Sequence, residues 1–124
     1  MNYNCHSRYS SFMFAFAGLK RLVKERNFRI HVLIATMTTV VGLLCRLSLI
    51  EWSLIIICFG MEMAAEGLNT AIEILADRVC PDRDESIRLA KDVSAGAVLL
   101  AAIATAIVGT LIFATRIISV ASHI

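Results

Sequence analysis

Glu62, Glu66, Asn69, Glu73 and Asp77 follow one another at offsets of 4, 7, 11 and 15 from the first, in a segment that is otherwise mostly apolar. If the segment is a helix, at about 100° per residue all five side chains fall within roughly one quarter of its circumference. An ionised acid near the centre of a bilayer costs roughly 3 kcal/mol or more on insertion scales, so a row of carboxylates on a lipid-soluble helix is read as a site. The chemistry such a row suits is transfer of a phosphoryl group. Carboxylates from two segments, Glu25 and Glu73, are the hard oxygen ligands that Mg²⁺ takes, leaving its other positions to phosphate oxygens and water. Lys91 can neutralise phosphate as a point charge. Glu66 lies two turns from Glu73, ~10 Å along the axis, where a desolvated carboxylate can accept the proton of a lipid hydroxyl. Phosphoryl transfer asks mainly for positioning, metal and charge neutralisation, with a base to orient the nucleophile.

The elements that must hold these residues are membrane helices. Of the 124 residues, 58% are hydrophobic, against roughly 45–50% in an ordinary soluble domain. Three stretches reach the ~17–25 largely apolar residues that a bilayer crossing needs: about 30–50, broken only by Arg46 near its end, about 52–76, with Trp52 as an interface anchor, and about 93–114. Residues 9–24 place Phe12, Phe16, Leu19, Leu22 and Val23 beside Lys20, Arg21 and Lys24, the pattern of an amphipathic helix lying on the membrane surface. Between the first two spans the Glu51 region leaves room only for a tight turn. Pro81, Asp82 and Asp84 break the chain after the second, leaving a short polar loop before Lys91 and Asp92. The expected architecture is therefore a single-domain all-α membrane protein, a surface helix followed by three transmembrane helices.

Lysine and arginine give the orientation. Arg8, Lys20, Arg21, Lys24, Arg26 and Arg29 precede the first span, and Arg78, Arg83, Arg88 and Lys91 lie between the second and third. Only Arg46 marks the opposite loop. The positive-inside rule puts the N-terminus and the 77–92 loop in the cytoplasm, so Glu25, Glu73, Asp77, Lys91 and Asp92 gather where a nucleotide meets a lipid headgroup. The apolar run before Ala15 and Ala17 is too short for a secretory leader, which needs ~7 apolar residues or more. Residues 1–29 are thus expected to belong to the mature protein.

Ala97, Ala101, Thr105 and Gly109 form a small-residue stripe on the third span, and Gly60, Ala64 and Gly67 or Ala71 offer the same on the second; in lipid, helices associate along such stripes. Three helices of this length cannot by themselves enclose five polar groups, which points to an oligomer with the acidic row at a seam. Other chemistries are excluded. The net charge of +2 and the lack of an aromatic-interleaved basic patch exclude nucleic acid. Cys5, Cys45, Cys58 and Cys80 lie too far apart for a C-x-x-C pair, so they imply neither a disulfide framework nor a zinc site. G-x-x-x-x-G-K-[ST], G-x-G-x-x-G and H-E-x-x-H are all missing. A proton- or cation-conducting oligomer is the rival reading of intramembrane acids. It needs polar groups reaching both faces, whereas residues 53–60 offer little beyond Ser53.

The run Glu66, Gly67, Leu68, Asn69, Thr70, Ala71, Ile72, Glu73, followed by Asp77, resembles the signature of the prokaryotic diacylglycerol kinase family, which includes the undecaprenol kinases. Residues 25–31 (Glu25 to His31), the turn Ile50, Glu51 and Trp52, and the pieces Ala90 to Asp92 and Ala95 to Leu99 fit in order, so the likeness covers about residues 18–110. Ala76 stands where the signature usually has Val, a difference of packing. The resemblance implies a homotrimer of three-span subunits in the bacterial inner membrane, with sites shared between protomers. ATP and Mg²⁺ would serve to phosphorylate a lipid alcohol. It further implies Glu66 as catalytic base, Glu25 and Glu73 as holders of the metal with ATP, and Asn69, Asp77, Lys91 and Asp92 as shapers of the nucleotide and transfer site. Glu62 lies outside the shared signature. The pattern from Glu25 to His31 and the Ile50–Trp52 turn look like the undecaprenol kinase branch, so undecaprenol is expected over diacylglycerol as acceptor.

Overall fold

A computed structural model describes residues 8–79 and 84–121 as four helices: α1 (Arg8–Leu22), α2 (Arg26–Leu44), α3 (Leu49–Val79) and α4 (Glu85–Ala121). The surface helix ends two residues earlier than its apolar pattern suggests. Lys24 and Glu25 close its last turn with N–H bonds to the carbonyls of Arg21 (3.0 Å) and Leu22 (2.9 Å). Glu25 is extended, at φ −74° and ψ 136°, and α2 starts at Arg26, before the apolar stretch begins. Phe28 is buried at this corner, and Leu22 rests on Gly67 of α3, where an added Cβ would come within 3.2 Å of Leu22 Cδ1. α1 is thereby tied to the helix that carries the acidic row.

The first apolar stretch does not run on to Ile50. α2 stops at Leu44, because the chain turns through Arg46, the one non-glycine residue with positive φ (50°) among those described. Arg46 N–H bonds to the carbonyl of Leu43 (3.2 Å) and Leu47 N–H to that of Gly42 (3.2 Å), the pattern of a Schellman stop with arginine at the left-handed position. Arg46 thus ends the helix instead of interrupting it. Ser48 then caps α3. Its backbone N–H and its hydroxyl both donate to Glu51 Oε2, at 2.7 and 2.6 Å, and its Oγ lies 3.4 Å from Glu51 N, a capping box. The Glu51 region is the tight turn expected of it. Arg116, near the end of α4, donates to both oxygens of Glu51 and ties the turn to the third apolar segment. Leu47, Ile55 and Ile112 form the buried core at this end, flanked by Trp52, Phe59, Val108 and Phe113.

α3 packs far more extensively on α4 than on α2. The seam along α4 follows Ser94, Val98, Ala102, Thr105, Gly109, Ile112 and Arg116, all buried or half-buried. Thr105 and Gly109 of the small-residue stripe lie on it, whereas Ala97 is exposed. The loop before α4 is shorter than the sequence suggests. Asp84 caps α4 through bonds from the N–H groups of Ser86 (2.9 Å) and Ile87 (3.0 Å) to its Oδ1, so Lys91 and Asp92 lie on the second turn of a helix and not at its start. Pro81 falls outside the described residues, as do Cys5 and Cys80. Cys45 and Cys58 are free and half-buried.

Among the described residues, two helical segments are long and apolar enough to cross a membrane, Arg26–Leu44 and Glu85–Ser119. α3 is longer than the first of them, but its carboxylates dilute its apolar character. The exposed surface is rich in large apolar side chains, Phe12, Phe16, Leu33, Leu44, Ile56 and Leu100 among them, as expected of a chain facing lipid. Glu62, Glu66 and Asn69 are 5%, 3% and 5% exposed, so a single chain does enclose the deep part of the row; only Glu73 and Asp77 are left open. The α1–α2 corner supplies a wall that three bare helices would lack.

Candidate active site

Three carboxylates meet at the α1–α2 corner. Glu25, Arg26 and Asn27 from the corner, with Glu66, Thr70 and Glu73 from α3, line a polar cleft of about 200 Å³. The break in the chain makes this convergence. Glu25 occupies the N-cap position of α2, yet its side chain makes no capping hydrogen bond. The carboxylate stays available at the positive end of a helix dipole, with Arg21 at 3.1 Å as its ion-pair partner. Asn27 engages Glu66 through its side chain. Thr70 and Asn27 were not singled out by sequence reasoning. Thr70 was legible, since it lies four residues after Glu66 and three before Glu73, on the same stripe; Asn27 was not, because its place depends on where α2 begins.

The wall of the cleft is fixed from α4. Ser94, 8% exposed, donates its hydroxyl to Asn69 Oδ1 at 2.7 Å. Asn69 Nδ2 in turn donates to Glu73 Oε1 at 3.2 Å. Buried polar atoms carry a penalty of ~1–3 kcal/mol when left unpaired, so this chain of contacts fixes both Asn69 and the carboxylate of Glu73. Farther along α3, Lys91 Nζ lies 2.8 Å from Asp77 Oδ1. Asp92 is not brought to the cleft. It lies on another face of α4, 2.8 Å from Arg88, which also pairs with Glu85. Deeper than Glu66, His31 Nδ1 approaches Glu62 Oε1 to 2.9 Å. This is an ion-pair distance without hydrogen-bond alignment, for Nδ1 is buried and has no hydrogen-bond partner.

The donor set fits magnesium carried by a nucleotide. Among the described residues no group of three or more His, Cys, Asp or Glu side chains is gathered to hold a metal alone. Mg²⁺ binds instead through one or two carboxylates together with substrate phosphates and water. Glu25, from the α1–α2 corner, and Glu73, from α3, line one polar cleft and form a pair of that kind.

Comparison with known proteins agrees with the geometry. The profile of the prokaryotic diacylglycerol kinase family matches residues 13–113. The chain belongs to that family. It is a lipid kinase of the diacylglycerol and undecaprenol kinase type. It is 36% identical over 110 residues to the undecaprenol kinase of Bacillus subtilis (strain 168), covering 88% of this chain and 89% of that protein. It is 40% identical over 101 residues to a diacylglycerol kinase of Synechocystis sp., covering 80% of this chain but 58% of the relative. A diacylglycerol kinase of Sinorhizobium sp. is 34% identical over 95 residues, 76% of this chain and 69% of that protein. The family match reaches into all four helices of this kinase and includes every residue that lines the cleft.

Proposed function

We propose that the cleft transfers the γ-phosphoryl group of ATP to the hydroxyl of a membrane lipid alcohol, with Glu66 as the base. The observation that carries this reading is the convergence of Glu25, from the α1–α2 corner, with Glu66 and Glu73 of α3 on one polar cleft at the end of a helix otherwise suited to lipid. Glu25 and Glu73 hold Mg²⁺ with the nucleotide. Bound there, the ion neutralises and orients the phosphates. Asn69, fixed by Ser94, keeps the Glu73 carboxylate in place. Lys91, positioned by Asp77, offers an ammonium to the phosphates. Glu66 is nearly inaccessible to solvent and accepts the hydroxyl proton as the lipid oxygen bonds to phosphorus and the bond to ADP breaks.

In this reading α3 also crosses the membrane, between the crossings of α2 and α4. α2 and α4 are long and apolar enough to span, and only the short turn at 45–48 separates α2 from α3. A helix of 31 residues extends ~46 Å, more than the ~30 Å hydrocarbon layer. The lysine and arginine pattern supports a cleft and N-terminus on the cytoplasmic side, and the family supports a bacterial inner membrane. The openness of Glu73 and Asp77 supports a homotrimer in which a neighbour covers them.

For the acceptor, undecaprenol is favoured over diacylglycerol. The Bacillus relative named an undecaprenol kinase matches over 89% of its length, the Synechocystis relative named a diacylglycerol kinase over 58%. The test is a micelle assay of purified protein with Mg·ATP, offering each lipid separately, with Glu66→Gln as the blank. Turnover of undecaprenol above that of diacylglycerol is expected, with the Glu66→Gln rate lower by ~10²-fold or more, the scale of general-base effects. Equal turnover by Glu66→Gln removes Glu66 as the base, and faster diacylglycerol turnover reverses the choice of acceptor.

A further inference from the structure

Glu62 has no part in the transfer chemistry, yet it is 5% exposed and stands one helical turn below Glu66, which is 3% exposed. Carboxylates four residues apart on a helix are neighbours and repel when both are charged. A buried charge is tolerated only when it is paired. Among the described residues the sole basic group within ion-pair distance of Glu62 is His31, whose Nδ1 is 2.9 Å from Glu62 Oε1. His31 comes from α2, five residues after Arg26, so the pair also joins the corner that supplies Glu25 and Asn27 to the helix that supplies Glu66. Its imidazole lies close enough to Glu66 to interact with it electrostatically. The other charged groups around the base are Glu73 on α3, Glu25 and Arg26 at the corner, Arg21 of α1, engaged by Glu25, and Lys91 of α4, engaged by Asp77. Each of these cations is committed elsewhere or lies at the rim.

We propose that His31 and Glu62 are a positioning pair for Glu66: the imidazolium balances the deeper carboxylate, so that Glu66 can hold its own negative charge and remain aimed at the lipid hydroxyl. This rests on the reading of Glu66 as the base. Without His31, two buried carboxylates share one face with no counter-charge. One of them must then take up a proton, or the turn must shift. Removing Glu62 as well restores the balance.

The experiment compares wild type, His31→Gln, the double variant His31→Gln/Glu62→Gln, and Glu66→Gln, each as purified full-length protein in micelles with Mg·ATP and saturating lipid. His31→Gln is expected to lower kcat by about tenfold or more, the factor carried by one unit of protonation equilibrium, with KM for Mg·ATP unchanged because Glu25 and Glu73 are untouched. The double variant is expected to recover most of that loss. A residue that merely filled space, or that touched only substrate, would not be rescued by a second removal. Wild-type kcat in His31→Gln, or no recovery in the double variant, overturns the proposal. If His31→Gln does not fold, His31→Lys, which keeps a cation, and the double variant take its place, and the proposal requires both to keep kcat within about tenfold of wild type. Glu66→Gln separates the two failures. Should it remain active, the base assignment falls; should it be inactive while His31→Gln matches wild type, the pair alone falls.

Discussion

At the scale of single residues, the proposed mechanism divides the cleft into groups that act on nucleotide and groups that only hold them. Glu25 and Glu73 belong to the first kind, and replacing either by Gln removes a hard ligand while leaving volume unchanged. Each variant is expected to need more Mg²⁺ for half-maximal rate, measured by titrating the metal at fixed ATP; an unchanged requirement in both would sink the metal assignment. Ser94 belongs to the second kind. Ser94→Ala deprives Asn69 Oδ1 of its 2.7 Å donor in a buried place. A loss of ~1–3 kcal/mol in stability is expected, read from the thermal midpoint in detergent, along with a weaker hold on Glu73 and a smaller kcat. The spacing of Glu62, Glu66, Asn69, Glu73 and Asp77 was enough to find the row, because a helix of known pitch fixes which side chains share a face. Ser94 and the pairing of His31 with Glu62 were beyond the sequence. Each joins two helices, and no local pattern records which residues meet across a gap of 25 or 31 positions.

At the scale of elements, two short connections set the register of the helices and hence the site. At the corner between α1 and α2, an extended Glu25 converts a basic segment into one wall of the cleft. Its existence follows from the change from amphipathic to apolar pattern, but its place five residues before the apolar run does not. At the other end, Gly42 lies so near the indole of Trp52 that an added Cβ would come within 2.8 Å of it. The ring is rigid and wedged against the core, so Gly42→Ala is expected to destabilise by ~1–3 kcal/mol, seen as a lower thermal midpoint. The same end carries Glu51, which precedes the crossing that starts at Trp52. Hydrogen bonds from the Arg116 guanidinium, and then from Ser48, hold its carboxyl down at about 2, against 4.5 when free. A carboxylate with a depressed value stabilises the fold at pH above its free value, and that contribution is lost as pH falls from about 4.5 through about 2. Wild type should therefore lose thermal stability across this window more steeply than Glu51→Gln. Parallel curves would mean that the Arg116 contact contributes nothing. Arg46 had looked like a charge near the end of a long span; its left-handed backbone, which usually favours glycine, gave no warning in the sequence that the helix would stop.

At the scale of the whole molecule, the chain encloses one part of the acidic row and leaves the other part open. The deep polar groups are enclosed by their own chain, but Glu73 and Asp77 are open, and the surface of the bundle carries large apolar side chains on many faces. Asp92 is the residue that decides between two arrangements. It belongs to the motif on α4, yet it pairs with Arg88 away from its own cleft. If Asp92 serves the transfer, it serves the cleft of another subunit. Subunits carrying Glu66→Gln and subunits carrying Asp92→Asn should then each be nearly inactive alone. Mixed in equal amounts from the unfolded state and refolded into micelles, they should regain about one quarter of wild-type activity. In a closed ring with one shared site per interface, about half of the clefts draw an intact Glu66, and about half of those meet a neighbour with an intact Asp92. A mixture as inactive as its components would confine each site to one chain and remove the catalytic reason for proposing a homotrimer. Recovery near one quarter would make oligomerisation part of the active site, consistent with a row whose outer carboxylates a single chain leaves open.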